Sequence, residues 1–383
     1  MRRRAFLAAA AAAGAPVFVR GQTFPTQQAR QLTVGVSVPL SGPRAQYGQE
    51  VVRGVQAAID ETNRFITPLQ RAYGIRAFDD QNSGNIATTN VAIASADPSI
   101  VAMIGNLSAD VTLQALPQYA NANFALIVPT ITADAITSRG FHNVFRLPTK
   151  DSTEGVLFAR AVLQGRKRMP VVAITIDGDY GADVARGFID QAKADKHDAQ
   201  TTVLPDGFDP GTIVEKLRAL AASYIFLCGK PDRLGPLAHG LRASGYKGEF
   251  GASDGFYTQT TIDKFAKPLD GALVASSLPP LGRIPSIFQY YNDFSRYVGA
   301  ITAFSAYGYA AMQLLIAAAG RTSVPNRFGI LNTLQNRGTY NTIVGPYSFN
   351  FSGDATFANI YLYAVASDGF KFAKPAIATG FVV

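Results

Sequence analysis

Short apolar, β-branched segments alternate with segments of helical periodicity from residue 32 onward, and this alternation restricts the chain more than any other feature. Leu32 to Leu40 reads as a strand and ends at Ser41-Gly42-Pro43, and residues 46–65 then place Val51, Val55, Ile59 and Thr62 on one helical face. Further strands are expected near 73–79, 100–105, 124–129, 143–147, 171–176, 200–204, 224–227, around Phe250, and at 271–275, with helical stretches between them. Repeated βα units form parallel sheets covered on both faces, so the fold class is α/β. With 383 residues, two domains are expected. The end of the chain breaks the rhythm: 344–352, 359–366 and 369–373 read as short strands joined as hairpins.

Parallel sheets hold ligands at the carboxyl ends of their strands. Those ends are polar and glycine-rich here: Ser41 to Gly48, Asn106 to Asp110, Pro129 to Asp134, Asp177 to Gly181, Gly229 to Arg233 and Gly251 to Tyr257. Composition narrows the chemistry. Hydrophobic residues make up 48% and charged residues 16%, enough apolar material for large cores and too little charge for disorder. One cysteine, Cys228, excludes an internal disulfide, and His142, His197 and His239 have no metal-ligand spacing. No metal or other cofactor is expected.

Residues 1–21 read as a cleaved export signal: Arg2, Arg3 and Arg4, then Ala5-Phe6-Leu7 and an alanine run to Ala13, with cleavage after Gly21. The string RRAFL resembles a twin-arginine (Tat) signature, which implies an exported, periplasmic protein. Loss of this segment removes Arg2, Arg3, Arg4 and Arg20 and no acids, so the net charge falls from +8 to +4. No Lys/Arg stripe accompanies that charge, so nucleic-acid binding is not expected. Gly299 to Gly320 lacks charge over a length that could span a bilayer. Its Thr302, Ser305, Tyr307, Tyr309 and Gln313 favour a helix packed in a core.

Gly251-Ala252-Ser253-Asp254-Gly255 fits G-x-S-x-G, but no histidine follows His239, so the Ser-acid-His order of an α/β-hydrolase cannot be met. Asp177-Gly178-Asp179-Tyr180-Gly181 resembles part of a calcium loop, yet Phe188 stands where the bidentate Glu is required. What remains is a set of hydroxyls and carboxylates on successive strand ends. Thr130 and Thr132 follow Pro129, Asp254 lies on a glycine-flanked loop suited to an ammonium group, and Tyr47 and Tyr180 each precede a glycine at a helix start. Each alone also reads as a helix cap or loop residue; together they describe a binding cleft of low reactivity.

Several stretches, in order, resemble the branched-chain amino-acid (Leu/Ile/Val) type of ABC-transporter solute-binding protein. They include VGVSVPLSGPRAQYGQEVVRGVQAAIDETN (34–63), FDDQ (78–81), AMIGNLSADVTL (102–113), LIVPTITA (126–133), DGDYGAD (177–183), FGASDG (250–255) and VGPYSF (344–349). The resemblance implies a two-lobed periplasmic binding protein of type I, each lobe a mostly parallel sheet flanked by helices, with three hinge crossings near 147–150, 278–283 and 343–347. Lobe I would comprise 31–147 and 283–343, and lobe II 148–282 and 344–383. It also implies roles: Thr130 and Thr132 for the ligand's amine and carboxylate, Tyr180 closing from the second lobe, Asp254 pairing with the α-amine, and Tyr47, with Phe304 more distantly, lining the side-chain pocket.

Departures from that pattern bear on the ligand. The family commonly has a serine at the position of Ala109, leaving Ser108 and Asp110 nearby, with Arg44 able to offset the added acid. Lys230 replaces an aromatic residue and would reach a distal acid or pair with Asp232. Two positions that form a disulfide in some members fall near Asn82 and at Ser108, in keeping with a lone, buried Cys228. The implied function is capture of an amino acid or related small carboxylate and its delivery to an ABC membrane permease, without catalysis. Alternatives are a carrier of aromatic or hydroxy acids or of amide- or urea-like solutes, and a ligand sensor. No signalling or anchoring segment is expected after Val383.

Overall fold

The computed structural model describes residues 31–67, 71–178, 180–280, 301–336, 338–357 and 359–377. The proposed signal, the second crossing beyond 280 and the segment 281–300 lie outside the described residues. Five βα units build the first sheet. Its strands are β1 (Leu32–Val38), β2 (Tyr73–Asp79), β3 (Ile100–Gly105), β4 (Leu126–Val128) and β5 (Val144–Arg146), in spatial order β2-β1-β3-β4-β5. Every pairing is parallel. The near-continuous apolar runs of β1, β3 and β4 follow from this, because both faces are covered.

Helices α1 (Ala45–Arg64), α2 (Gly84–Ser95), α3 (Ala109–Asn121) and α4 (Ala135–Ser138) connect these strands. Helix Ala303–Arg321, which contains most of the uncharged stretch, packs against α1 in the first core, mostly buried. Glycines allow that contact. A Cβ on Gly54 would stand 2.1 Å from the Ser305 carbonyl oxygen, and one on Gly308 2.4 Å from that of Val51. Thr302 and Ser305 form a reciprocal capping box at its start.

The second sheet has seven strands. Strands β6 (Pro170–Ile176), β7 (Asp198–Leu204), β8 (Tyr224–Leu227), β9 (Glu249–Ala252) and β10 (Leu273–Ser276) run parallel. Strands β13 (Asn359–Ala366) and β14 (Gly369–Ile377) add an antiparallel edge, giving the order β14-β13-β10-β9-β8-β6-β7. Helices α5 (Asp151–Leu163), α6 (Ala182–Ala194), α7 (Pro210–Ala219), α8 (Pro231–Ala243) and α9 (Gln259–Phe265) cover its faces. Two separate cores form on either side of this sheet. The expected α/β class and the hairpin-like C-terminus are both present.

One expected boundary shifts. Residues 344–349 were placed in the second lobe, but Val344, Tyr347 and Phe349 pack into the core of the first sheet. Strands β11 (Tyr340–Thr342) and β12 (Gly345–Tyr347) form a two-stranded ribbon there, and Asp354 bridges to Arg146 on β5. The chain joins the second sheet only at Asn359. Alternating aromatic side chains at Tyr347 and Phe349 both turn toward one core, which holds the segment on the first sheet.

Arg146 fixes this region. Its side chain is fully buried; Nε donates to Asp354 Oδ1 at 3.0 Å and an Nη pairs with the same carboxylate. It also donates to the Thr132 carbonyl at 2.8 Å, the Ala133 carbonyl at 2.6 Å and the Thr137 hydroxyl at 2.6 Å. A planar guanidinium satisfies these diverging acceptors at once, which an ammonium cannot. Arg146→Ala strands a buried carboxylate and is expected to cost about 3–5 kcal/mol. Arg146→Lys should recover little of it. Urea unfolding checks this; an Arg146→Ala variant as stable as the parent contradicts it.

Candidate functional site

A cleft of about 800 Å³ lies between the carboxyl ends of the two sheets. From the first sheet come Arg44, Ser108, Ala109, Asp110, Thr130, Thr132 and Phe304; from the second come Asp151, Tyr180, Asp183, Lys230 and Gly255. Nine of the residues singled out in the sequence therefore face one space. The other two adjoin it. Tyr47 stacks on Phe304 with ring centroids 4.7 Å apart, and the Tyr180 hydroxyl donates to Asp254 Oδ1 from the cleft side.

Local geometry explains each placement. Thr130 and Thr132 follow β4, and Arg146 holds their loop by the carbonyls of Thr132 and Ala133. Arg44 Nη1 donates to the Ser108 hydroxyl at 2.6 Å, and that hydroxyl donates in turn to Asn82. The positions compared with a disulfide are thus tied by a hydrogen bond. Arg44 spends a donor on Ser108 rather than on Asp110. Asp110 opens α3 and Asp183 opens α6, where helix dipoles favour negative charge. Asp232 is bound by Lys264 at 3.0 Å, Lys230 lines the cleft, and among the described residues it forms no ion pair.

Ser253 has a structural role. It is fully buried, and its hydroxyl accepts from the Gly229 N–H at 3.1 Å, tying the loops after β8 and β9 together. A nucleophile would have to be exposed at that turn. Cys228 is buried immediately after β8 and carries no disulfide. Its thiol is pushed well above its usual value by burial and by the nearby Glu154 and Asp151.

The sequence reading missed two acids. Asp151 and Glu154 lie on the first turn of α5, 4% and 0% exposed. Glu154 Oε1 accepts the Asp254 backbone N–H at 3.0 Å, and the Asp151 N–H donates to the Thr132 carbonyl at 2.9 Å. Asp151 Oδ1 and Glu154 Oε2 have no hydrogen-bond partner among the described residues. Among the described residues, no Lys, Arg or His forms an ion pair with Asp151, Glu154 or Asp254. Burial pushes the Asp151 carboxyl up to about 8, helped by Asp254 and Asp134 and opposed by Thr132 and Arg146. Burial, with Asp254 and Asp151 nearby, holds Glu154 well above the carboxylate range; Asp254 is raised mainly by burial, against the Tyr180 hydrogen bond. A signal was present: Asp151, Glu154, Phe158 and Val162 share the inward face of a helical repeat.

Two α/β lobes with a cleft at their facing strand ends define a two-lobed solute-binding protein. The model of the periplasmic binding protein family matches residues 31–370, and the chain belongs to that family. A Leu/Ile/Val-binding protein homolog 2 of Brucella abortus is 22% identical over 342 residues, covering 87% of this chain and 90% of that one. Among solved structures, an ABC transporter substrate-binding protein of Desulfitobacterium hafniense in complex with Leu superposes with a TM-score of 0.77 at 20% identity, over 90% of this chain and all of that one. A solute-binding protein of R. palustris in complex with benzoate does so with a TM-score of 0.71 at 18% identity, covering 91% and 96%. The type I periplasmic-binding fold is therefore the fold of this chain.

The raised carboxyls predict a pH dependence. Between about pH 4 and pH 8, the ligand-free folded chain keeps protons that the unfolded chain has lost, so stability falls as pH rises, by up to about 1.4 kcal/mol per pH unit per proton. Asp151→Asn removes one such group. Its stability relative to wild type should therefore increase with pH across that window, measured by thermal unfolding without ligand. A constant difference would show that Asp151 titrates normally.

Proposed function

We propose that the protein is the extracytoplasmic binding component of an ABC importer, capturing an amino acid or related small carboxylate in this cleft. The observation that carries this is the pairing, across one cleft, of hydroxyl-bearing Thr130 and Thr132 on the first lobe with Tyr180, Asp254 and Lys230 on the second. A zwitterion leaves water only if each charge meets a partner, and these groups provide both kinds. No covalent chemistry is needed, and the protein acts by binding without turnover.

Residues 1–21 act as an export signal cleaved near Gly21, and the mature chain works in the periplasm. The lobes, with crossings at 147–150, beyond Ser276 and between Asp354 and Asn359, rotate about these strands and bury the solute. The closed form docks on a membrane permease. A second reading is favoured by the likeness to the benzoate complex. In it the solute is an aromatic or hydroxy acid.

The test is a thermal-shift screen of solute-stripped protein against amino acids, aromatic acids, hydroxy acids and amides at about 1 mM. A micromolar ligand at that concentration stabilises by about 4 kcal/mol. For an amine-bearing hit, Asp254→Ala should weaken binding by about 2–5 kcal/mol in titration calorimetry. Unchanged affinity removes Asp254 from the site, and no binder across the panel contradicts the proposed class of solute.

A further inference from the structure

We propose that the second lobe carries a separate site for a small multivalent oxyanion, a phosphate or a polycarboxylate, in a cavity at the amino-terminal ends of β8, β9 and β10. Tyr224, Glu249 and Leu273, the first residues of those strands, all line it. The cleft lies at the carboxyl ends of the same sheet, so the length of β8, about 10 Å at 3.3 Å per residue, separates the two sites. The inference does not depend on which solute the cleft takes.

The cavity has a volume of about 600 Å³, within the range of about 300–1,000 Å³ common for small-molecule sites. Four cationic side chains line it, Arg166, Arg242, Lys247 and Lys374, against two acids, Glu249 and Asp270. That leaves a surplus of two positive charges. Arg242 is held in place. Its Nε donates to the Pro268 carbonyl at 3.2 Å and its Nη1 to the Tyr246 and Gly248 carbonyls at 3.0 and 2.8 Å, with the guanidinium 4.5 Å from the centre of the Phe250 ring. Among the described residues, its Nη2 has no hydrogen-bond partner and Lys247 forms no ion pair. Glu249 is already taken by Arg166, with contacts at 2.7 and 3.1 Å. The cavity therefore offers positive charge that its own acids do not satisfy.

Tyr224 adds a donor without an acceptor. It is 2% exposed, and its hydroxyl has no hydrogen-bond partner among the described residues. The side chain reaches over β9, where a Cβ on Gly251 would stand 2.3 Å from the hydroxyl oxygen. Leu273, which pairs with Gly251 in register, lines the cavity beside it. Burial and the nearby Glu249 carboxylate keep the hydroxyl protonated, so it can only be satisfied by an acceptor. For the fold alone, phenylalanine would fill the same space without leaving a buried donor unpaired. An oxyanion supplies the missing acceptor, and the surplus cations neutralise its charge.

The experiment titrates solute-stripped protein with inorganic pyrophosphate and with citrate by calorimetry, near neutral pH and at constant ionic strength. The expected result is saturable one-to-one binding of at least one of them, and the arm that binds assigns phosphate or carboxylate chemistry. Tyr224→Phe should weaken that binding about tenfold or more, while its ligand-free melting temperature equals or exceeds that of wild type. Lys247→Gln, which changes an exposed side chain, should weaken it about threefold or more. Saturable binding of neither anion overturns the proposal. Binding at full strength in both variants places the anion elsewhere and overturns it too. If Tyr224→Phe fails to fold, Lys247→Gln decides alone.

Discussion

A single buried guanidinium joins the architecture to the site. Arg146 ends the last strand of the first sheet, where the chain leaves for the second, and one side chain meets three requirements there. It neutralises Asp354, on the segment that later returns to the second sheet; it fixes the Thr137 hydroxyl; and it holds the carbonyls of the loop bearing Thr130 and Thr132. A pair this deeply buried offers little net stability over apolar packing, since desolvation offsets much of the attraction. Its value is geometric. The crossing strand, the returning strand and the cleft loop are set by one rigid fork.

The cleft floor works by the opposite device. Among the described residues, Asp151, Glu154 and Asp254 lie close together with no ion-paired cation, and burial keeps their protons on at pH values where exposed carboxyls are ionised. An incoming cation reverses that balance by favouring the ionised form. Proposed closure over such a solute then strengthens the attraction as water is excluded. The walls carry both signs, Arg44 and Lys230 beside Asp110 and Asp183.

The sheets were legible in the sequence because parallel strands buried on both faces leave uninterrupted apolar runs; β2, β3 and β8 occupy the expected residues. Strand-end loops were legible for the same reason, and they yielded Thr130, Thr132 and Tyr180, whereas Lys230 drew notice only through the family resemblance. Asp151 and Glu154 escaped notice because acids at a helix start ordinarily read as solvated, dipole-favoured residues. Their burial is tertiary. Helix α5 packs so closely on α6 that a Cβ on Gly155 would stand 2.1 Å from the Val184 carbonyl oxygen, and one on Gly187 2.0 Å from that of Ser152. Residues 344–349 were misassigned because a short aromatic strand carries no mark of which of two cores it will enter. Lys230 kept two readings open until Lys264, distant in sequence, was seen to occupy Asp232.

The most direct test of a floor that trades protons for a cationic solute is the number of protons exchanged on binding. Calorimetry of an amine-bearing ligand near pH 7, repeated in buffers of different ionisation enthalpy, measures it without any mutation. The cleft described here predicts net release, approaching one proton per solute bound, with affinity rising as pH increases toward 8. Zero exchange, or proton uptake, would show that the carboxylates are already ionised or stand apart from the solute, and would contradict the account.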